Sequence, residues 1–450
     1  MSVTPRAAAE GLLRMRDFRL LLAGAAAAQF GAHVALVALP LVAVLELDAS
    51  AFQVGLLTAA ETAAFLVIGL PAGAWVDRMR KVPLMIRTDV VRAAAMASVP
   101  AAGVAGVLTM TQLYAVALVV GVATVFFDVA HQSFLPRLLP QNQLVKGNGA
   151  LETVRSSAQV TGPGLGGGLV QLLGAHLAVA ADAIGYALSA LCLWRIKQPE
   201  PRPEAVPGAS LRADIGEGLH FVLGQPLLRV IAVATGLGNF FTALLMATQT
   251  VFLVRVLGLE PGAVGLVLSA AAIGGLAGAL AAGALAARWG QARVIWFSPL
   301  VTGPFALLWP LSERTGGAAL FALGSGVVFF GAVVYNVAQV SFRQVLCPPH
   351  LLGRMNATLR FLMWGTLPLG ALAGGALADG FGARAALLCC AAGFLTVPLP
   401  LLLSELRRMR DLPTGPDAVR PATPGTETAG ATVNGAEAGP DGRDRTTPLG

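Results

Sequence analysis

The sequence predicts an all-α membrane protein with twelve transmembrane helices in two pseudo-symmetric six-helix bundles. Three observations carry that prediction. The chain is 56% hydrophobic and 12% charged, with a mean hydropathy of +0.72, whereas a soluble domain carries about 25% charged residues. Apolar runs of the roughly 20 residues needed to cross a bilayer can be marked near 18–46, 52–76, 83–107, 112–135, 144–173, 177–195, 228–257, 262–287, 293–311, 317–345, 356–378 and 384–404. A shift of 208 residues lays 129–151 on 337–359 with nine identities in 23 positions, where random pairing at this composition gives about two. The same shift pairs Gly166 with Gly374, Gly167 with Gly375 and Gly174 with Gly382. Two similar halves side by side are the footprint of a protein that rocks one half against the other around a central site.

Lys and Arg placement sets the orientation. With both termini in the cytoplasm, only Arg255, Arg314 and Arg384 of the 31 Lys and Arg residues fall near outer loops, as the positive-inside rule requires. The net charge of +7 therefore reads as topology, and no nucleic-acid partner is expected. The cysteines Cys192, Cys347, Cys389 and Cys390 sit in or beside apolar runs without metal-ligand spacing and read as packing residues. No metal and no cofactor is expected. The chain has no HExxH and no GxxxxGK[ST] loop, so neither a membrane enzyme nor an ATP-driven pump is expected. The expectation is a monomeric, multi-pass protein of the cell membrane.

The first half is residues 1–195. Its first run follows Arg14, Arg16 and Arg19 and is too long for the apolar core of a signal peptide. Gln29 and His33, one turn apart, are candidates for the wall of a central cavity. Glu61 lies nearly central in the second run, with no basic residue within a helical turn. An ionisable group at mid-helix costs roughly 2.5–3.5 kcal/mol on insertion scales, so it needs a use or a partner. Glu61 is the first candidate for a protonatable coupling site, with a hydrogen-bonded packing acid as the other reading. The next loop reads Gly73-Ala74-Trp75-Val76-Asp77-Arg78-Met79-Arg80-Lys81-Val82-Pro83. A small residue at Gly73 lets two helices approach closely, and Asp77 can face the positive N-terminus of a neighbouring helix. Arg78, Arg80 or Lys81 can bridge to Asp128 at the inner end of the fourth run.

Asp89 and Arg92 in the third run, and Glu152 and Arg155 in the fifth, stand i to i+3 and are expected to neutralise each other. The fifth run contains Gly162-Pro163-Gly164-Leu165-Gly166-Gly167. The proline removes a helical hydrogen bond and permits a kink, while the glycines admit a neighbouring helix. Asp182 in the sixth run is a further intramembrane acid and, with His33, a reserve candidate for proton coupling.

Residues 196–227 form the longest internal connection, a Pro-rich polar piece followed by Leu211, Ile215, Leu219 and Val222 at helical spacing. An amphipathic helix on the inner membrane face is expected there. In the second half, 228–410, Asn239, Thr242 and Gln249 in the seventh run and Tyr335 and Asn336 in the tenth are cavity candidates. Residues 411–450 are rich in Gly, Pro, Thr and Ala and lack apolar periodicity, so a disordered cytoplasmic tail is expected.

The loop at 73–83 resembles the GxxxDRxGRK signature of the major facilitator superfamily, with Arg80 where the pattern has its inner glycine. Its DRxRxxP form, followed by Asp89 and Arg92, resembles the drug:proton antiporter branch of macrolide-efflux and enterobactin-type siderophore exporters. A degenerate echo stands at 283–290, with Ala287 in place of the acid. Gly162, Pro163, Gly166 and Gly167 match GPxxGG, the fifth-helix signature of the superfamily's antiporters. The resemblance covers residues 10–405. It implies that the 73–81 cluster, with Asp128, latches the outward-open state. It also implies secondary active export of a hydrophobic or amphiphilic small molecule (a drug, antibiotic or siderophore) by proton antiport with alternating access. The fourth run has no basic residue before His131, so it lacks the arginine signature of other antiporter branches and offers no evident proton carrier. A metabolite importer or facilitator is the alternative, and a transport-dead sensor or structural membrane protein a more distant one.

Overall fold

The computed structural model describes residues 12, 14–197, 211–313, 317–347 and 351–410. Among them every regular element is a helix. The first half supplies α1 (Arg16–Glu46), α2 (Ala51–Asp77), α3 (Lys81–Val104), α4 (Met110–Leu138), α5 (Gln141–Leu173) and α6 (Ala175–Trp194). A connecting helix α7 (Leu211–Gly224) follows. The second half supplies α8 (Pro226–Val256), α9 (Pro261–Trp289), α10 (Gln291–Leu311), α11 (Gly317–Leu346), α12 (Leu352–Trp364), α13 (Thr366–Phe381) and α14 (Ala383–Leu402). Helices α12 and α13 are one rod broken at Gly365.

Ten helices among the described residues are long and apolar enough to cross a membrane. The two marked runs that fail this test on composition are α3 and α5. In α3, Arg87, Asp89 and Arg92 interrupt the apolar stretch. Helix α5 is polar in its first half and glycine-rich in its second, so its apolarity is low although its 33 residues are ample for a span.

The sequence repeat reappears as a repeat of packing. In the first half α1 packs on α5 and α6, α2 on α4, and α3 on α4 and α6. In the second half α8 packs on α13 and α14, α9 on α11, and α10 on α11 and α14. The turns repeat as well. Helices α1 and α8 both end in a π-helical turn, Val42–Glu46 and Phe252–Val256. Each is followed by a residue of positive φ, Asp48 at 45° and Gly258 at 64°. Aspartate is among the few side chains that tolerate this region. Gly174 and Gly382, φ 93° and 87°, start α6 and α14 in the same way.

Short connections alternate the helix directions, so the molecule has two ends. The proximal end carries Arg16, α7 and residue 410; the distal end carries the α1–α2 and α8–α9 turns. The halves meet where α5 packs on α9 and α2 on α13. Both contacts are glycine on glycine near the distal end: a Cβ on Gly167 would strike the backbone of Pro261 and Gly265, and one on Gly55 that of Ala371 and Gly375. Gly167 and Gly375 are the pair that the 208-residue shift superimposes, which gives that identity a physical reason.

Helix α7 docks on α12. Val222 is fully buried, Gly218 lies against the backbone of Arg354, and Glu217 forms an ion pair with Arg354. The linker piece 198–210 and the tail 411–450 lie outside the described residues.

Candidate functional site

A cavity of about 670 Å³ lies between the halves, within the range of small-molecule sites. Its wall comes mostly from the second half. Asn239, Thr242, Tyr335 and Asn336 line it as expected, together with Thr235, Gln339, Arg343, Arg360 and Trp364. The first half contributes Gln132 and Gln159. Tyr335 and Thr235 share a hydroxyl–hydroxyl bond of 2.6 Å, Asn239 donates to the Met363 carbonyl at 2.8 Å, and Gln339 donates to Asn336 at 2.9 Å. Arg360 stacks on Trp364, 4.4 Å from the ring centre, and stands 4.0 Å from Asp128 of the first half.

Three cavity candidates belong elsewhere. Gln29, His33 and Gln249 are absent from the wall. The His33 ring nitrogen bonds the Gln29 carbonyl at 2.9 Å, and its Cβ faces Gly162. Helix α1 turns this edge toward α5, because the glycine there leaves room for an imidazole. Phe329 of α11 reaches the large cavity. Phe126 stacks on Trp75, and Phe240 and Phe241 pack edge to face.

The first half holds a second, smaller polar site. Arg92, 4% exposed, pairs with Asp89 and donates to the Thr124 hydroxyl at 3.3 Å. Its guanidinium is sandwiched between Phe127 and Tyr186, at 4.3 and 4.2 Å from the ring centres, a geometry that favours the cation. Tyr186 also borders a cavity of about 40 Å³, whose wall includes Glu61 and Asp182. That volume accommodates a water-sized guest. Asp182 is 2% exposed, and its Oδ1 has no hydrogen-bond partner among the described residues. The structure thus brings two of the three coupling candidates to one cavity and leaves His33 apart from it.

In the 73–83 loop the side chains of Gly73 and Asp77 lie outside the described residues. Arg78 and Arg80 are exposed. Lys81 is buried, and its ammonium donates to the Val76 and Met79 carbonyls, closing the last turn of α2. The described ion-pair partner of Asp128 is Arg360 in the opposite half. The bridge expected from Arg78, Arg80 or Lys81 to Asp128 belongs to the outward-open latch. Arg360 of α12 reaches Asp128 of α4 across the halves.

The glycines of 162–167 divide between two neighbours. Gly162 and Gly166 lie against His33 and Val34 of α1, while Gly167 lies against α9. Pro163 is buried, its carbonyl lies against Gly265, and the Gly164 amide donates across the halves to Ser269 at 2.8 Å. Other contacts tie the halves at the distal end. Arg255 donates to Asp48 at 2.9 Å and to the Ala49 carbonyl at 2.8 Å, and Gln171 donates to Glu260 at 3.0 Å. Among the described residues Cys192, Cys347, Cys389 and Cys390 form no disulfide.

The comparisons with known proteins agree with this geometry. The sequence profile of the Major Facilitator Superfamily matches residues 21–367. The multidrug efflux pump Tap of Mycolicibacterium fortuitum is 29% identical over 413 residues, which span 87% of this chain and 96% of that pump. The crystal structure of nucleoside transporter NupG superposes with a TM-score of 0.69 at 14% identity, covering 86% of this chain and 98% of that one. A bacterial homologue of iron transporter ferroportin in its inward-facing state superposes with a TM-score of 0.67 at 15% identity, covering 86% and 99%. At such identities these structures share the fold alone.

Proposed function

The chain belongs to the Major Facilitator Superfamily, and on that premise we propose a twelve-span, two-bundle exporter that expels a hydrophobic or amphiphilic small molecule in exchange for protons. The observation that carries the export reading is the end-to-end similarity to a multidrug efflux pump. The wall of the large cavity, with aromatic and amide groups side by side, suits amphiphilic cargo. The glycine contacts and the Arg255–Asp48 tie close the distal end, which supports reading this geometry as the inward-facing state, with the proximal end in the cytoplasm. Export then requires the distal contacts to part and the proximal ends to close around the cavity.

Glu61 and Asp182 are the proposed proton carriers, because both stand in membrane-spanning helices and border one cavity, and an ionisable group at that depth needs a use or a partner. In this scheme the proton site sits in the first half, and the cargo site mostly in the second. Uptake of an amphiphilic dye into inverted proteoliposomes, driven by an imposed pH gradient, tests the whole reading. Gradient-dependent accumulation is expected; accumulation only in right-side-out vesicles would reverse the direction and favour an importer.

Two further expectations follow from the same scheme. Reporter fusions after Leu108, Gly258 and Ser312 should read as external, and fusions after Lys81, Pro199 and Cys347 as internal. A consistent reversal would refute the orientation. The second concerns the 73–81 cluster, which we propose latches the outward-open state with Asp77 and Arg78 as its charges. Asp77→Asn or Arg78→Ala should lower transport several-fold at equal protein abundance, because losing an ion cluster made in one state shifts the balance of two. Parental transport in both variants would remove the latch.

A further inference from the structure

We propose that the large cavity is an anion site that takes planar aromatic amphiphiles bearing a carboxylate or comparable oxyanion. The proposal rests on reading that cavity as the transport site, and it names the class of cargo. Two guanidiniums, Arg343 and Arg360, stand in the wall, and no carboxylate does among the described residues. Asp128, 4.0 Å from Arg360, offsets one of them. Arg343 has no Asp or Glu partner among the described residues; its guanidinium meets the Met363 sulfur at 3.8 Å, and its Nε is buried without a hydrogen bond. A half-buried cation without a described counter-ion is costly in a membrane protein, and an anionic ligand supplies an opposite charge.

The neutral groups add one free donor, and the buried Gln339 Oε1, which has no described partner, adds an acceptor that suits a hydroxyl on the same ligand. Gln339, 1% exposed, gives its amide nitrogen to the Asn336 oxygen, which leaves the Asn336 nitrogen for an acceptor on the ligand. Asn239 lines the same cavity. Trp364, on which Arg360 stacks, adds an aromatic surface beside the cation. A flat ring can therefore lie against Trp364 and Arg360 while its oxyanion meets Arg343 through charge-assisted hydrogen bonds. An inside-negative membrane potential also drives an anion outward, in the direction proposed for transport.

The test uses two dyes built on one xanthene core and of opposite charge: fluorescein, anionic in mildly alkaline buffer, and tetramethylrhodamine methyl ester, a cation. Binding to the full chain in nanodiscs is read by fluorescence anisotropy. Fluorescein should bind at least about tenfold more tightly, and Arg343→Gln should remove about tenfold of its affinity without weakening binding of the rhodamine ester. Arg343→Lys, which keeps the charge, should retain part of it. Preference for the cation, or an unchanged dye ratio in Arg343→Gln, would overturn the proposal and leave Arg343 as a topological anchor. If the variants fail to fold, the parent protein still decides: bound fluorescein should be displaced by naphthoate and not by naphthylmethylammonium, and the reverse order overturns the proposal. Binding needs no transport, so fluorescein held but not exported would sink the direction and spare the anion site. Export of the rhodamine ester alone would do the opposite.

Discussion

Glu61→Gln is expected to reduce pH-gradient-driven export to the level of protein-free vesicles while sparing substrate binding and downhill exchange. Glutamine keeps the size and most of the hydrogen-bonding capacity of glutamate but cannot release a proton. Glu61 borders the small cavity with Asp182, so a proton entering there has two carboxylates between which to move. The substitution removes one and leaves the large cavity, on the other side of the bundle, with its wall intact. Asp182→Asn should reproduce the defect if the two carboxylates act together. Active export by Glu61→Gln at the parental rate would send the proton elsewhere, with His33 next to be tested. A loss of folded protein would identify Glu61 as a packing acid and end its candidacy as a carrier.

Gly167→Leu should trap the protein with its distal end open and abolish turnover. A Cβ at Gly167 would already meet the Pro261 and Gly265 backbone, and a Cβ at Gly168, the next residue, meets nothing within 4 Å. Gly168→Leu is therefore the matched control and should transport normally. Overpacking a tight contact costs ~1–3 kcal/mol. Here the cost falls only on the state in which α5 and α9 touch, so the two-state balance moves by about 5- to 150-fold. Ser269→Cys in a cysteine-free background reports the change. Ser269 bonds the Gly164 amide across this interface, so an impermeant thiol reagent should label the cysteine faster when Gly167 is leucine. Unchanged labelling and parental transport would show that the distal contact does not govern the cycle.

Much of the architecture was legible because the relevant signals are local. Whether a run crosses a bilayer depends on its own length and apolarity, and the helix starts fall within a few residues of the marked runs. Helices α3 and α5 are too polar to qualify on composition, yet each coincides with one of the marked runs. The repeat also singled out Gly167 and Gly375, whose shared role is to let the halves touch. Motif reading located the turn after α2, the glycines of α5, and the acids Glu61 and Asp182.

The cavity wall was only half legible. In a helix that is apolar all round, period 3.6 identifies no inner face, so each polar side chain is a candidate until the rotation of its helix is known. Asn239, Thr242, Tyr335 and Asn336 turned inward, whereas Gln29, His33 and Gln249 did not. Arg343, in the last turn of α11, and Arg360, in α12, carried no sign in the sequence beyond that of inner-side cations that set topology. The sequence by itself determined the class, the spans, the repeat and the glycines at which helices meet, because composition and spacing carry those. The tertiary structure alone decided that Glu61 and Asp182 share a cavity, that Asp128 pairs with Arg360, and that two arginines face the central space. Each of these joins residues far apart in the chain, and only the packing angles of the helices bring them together.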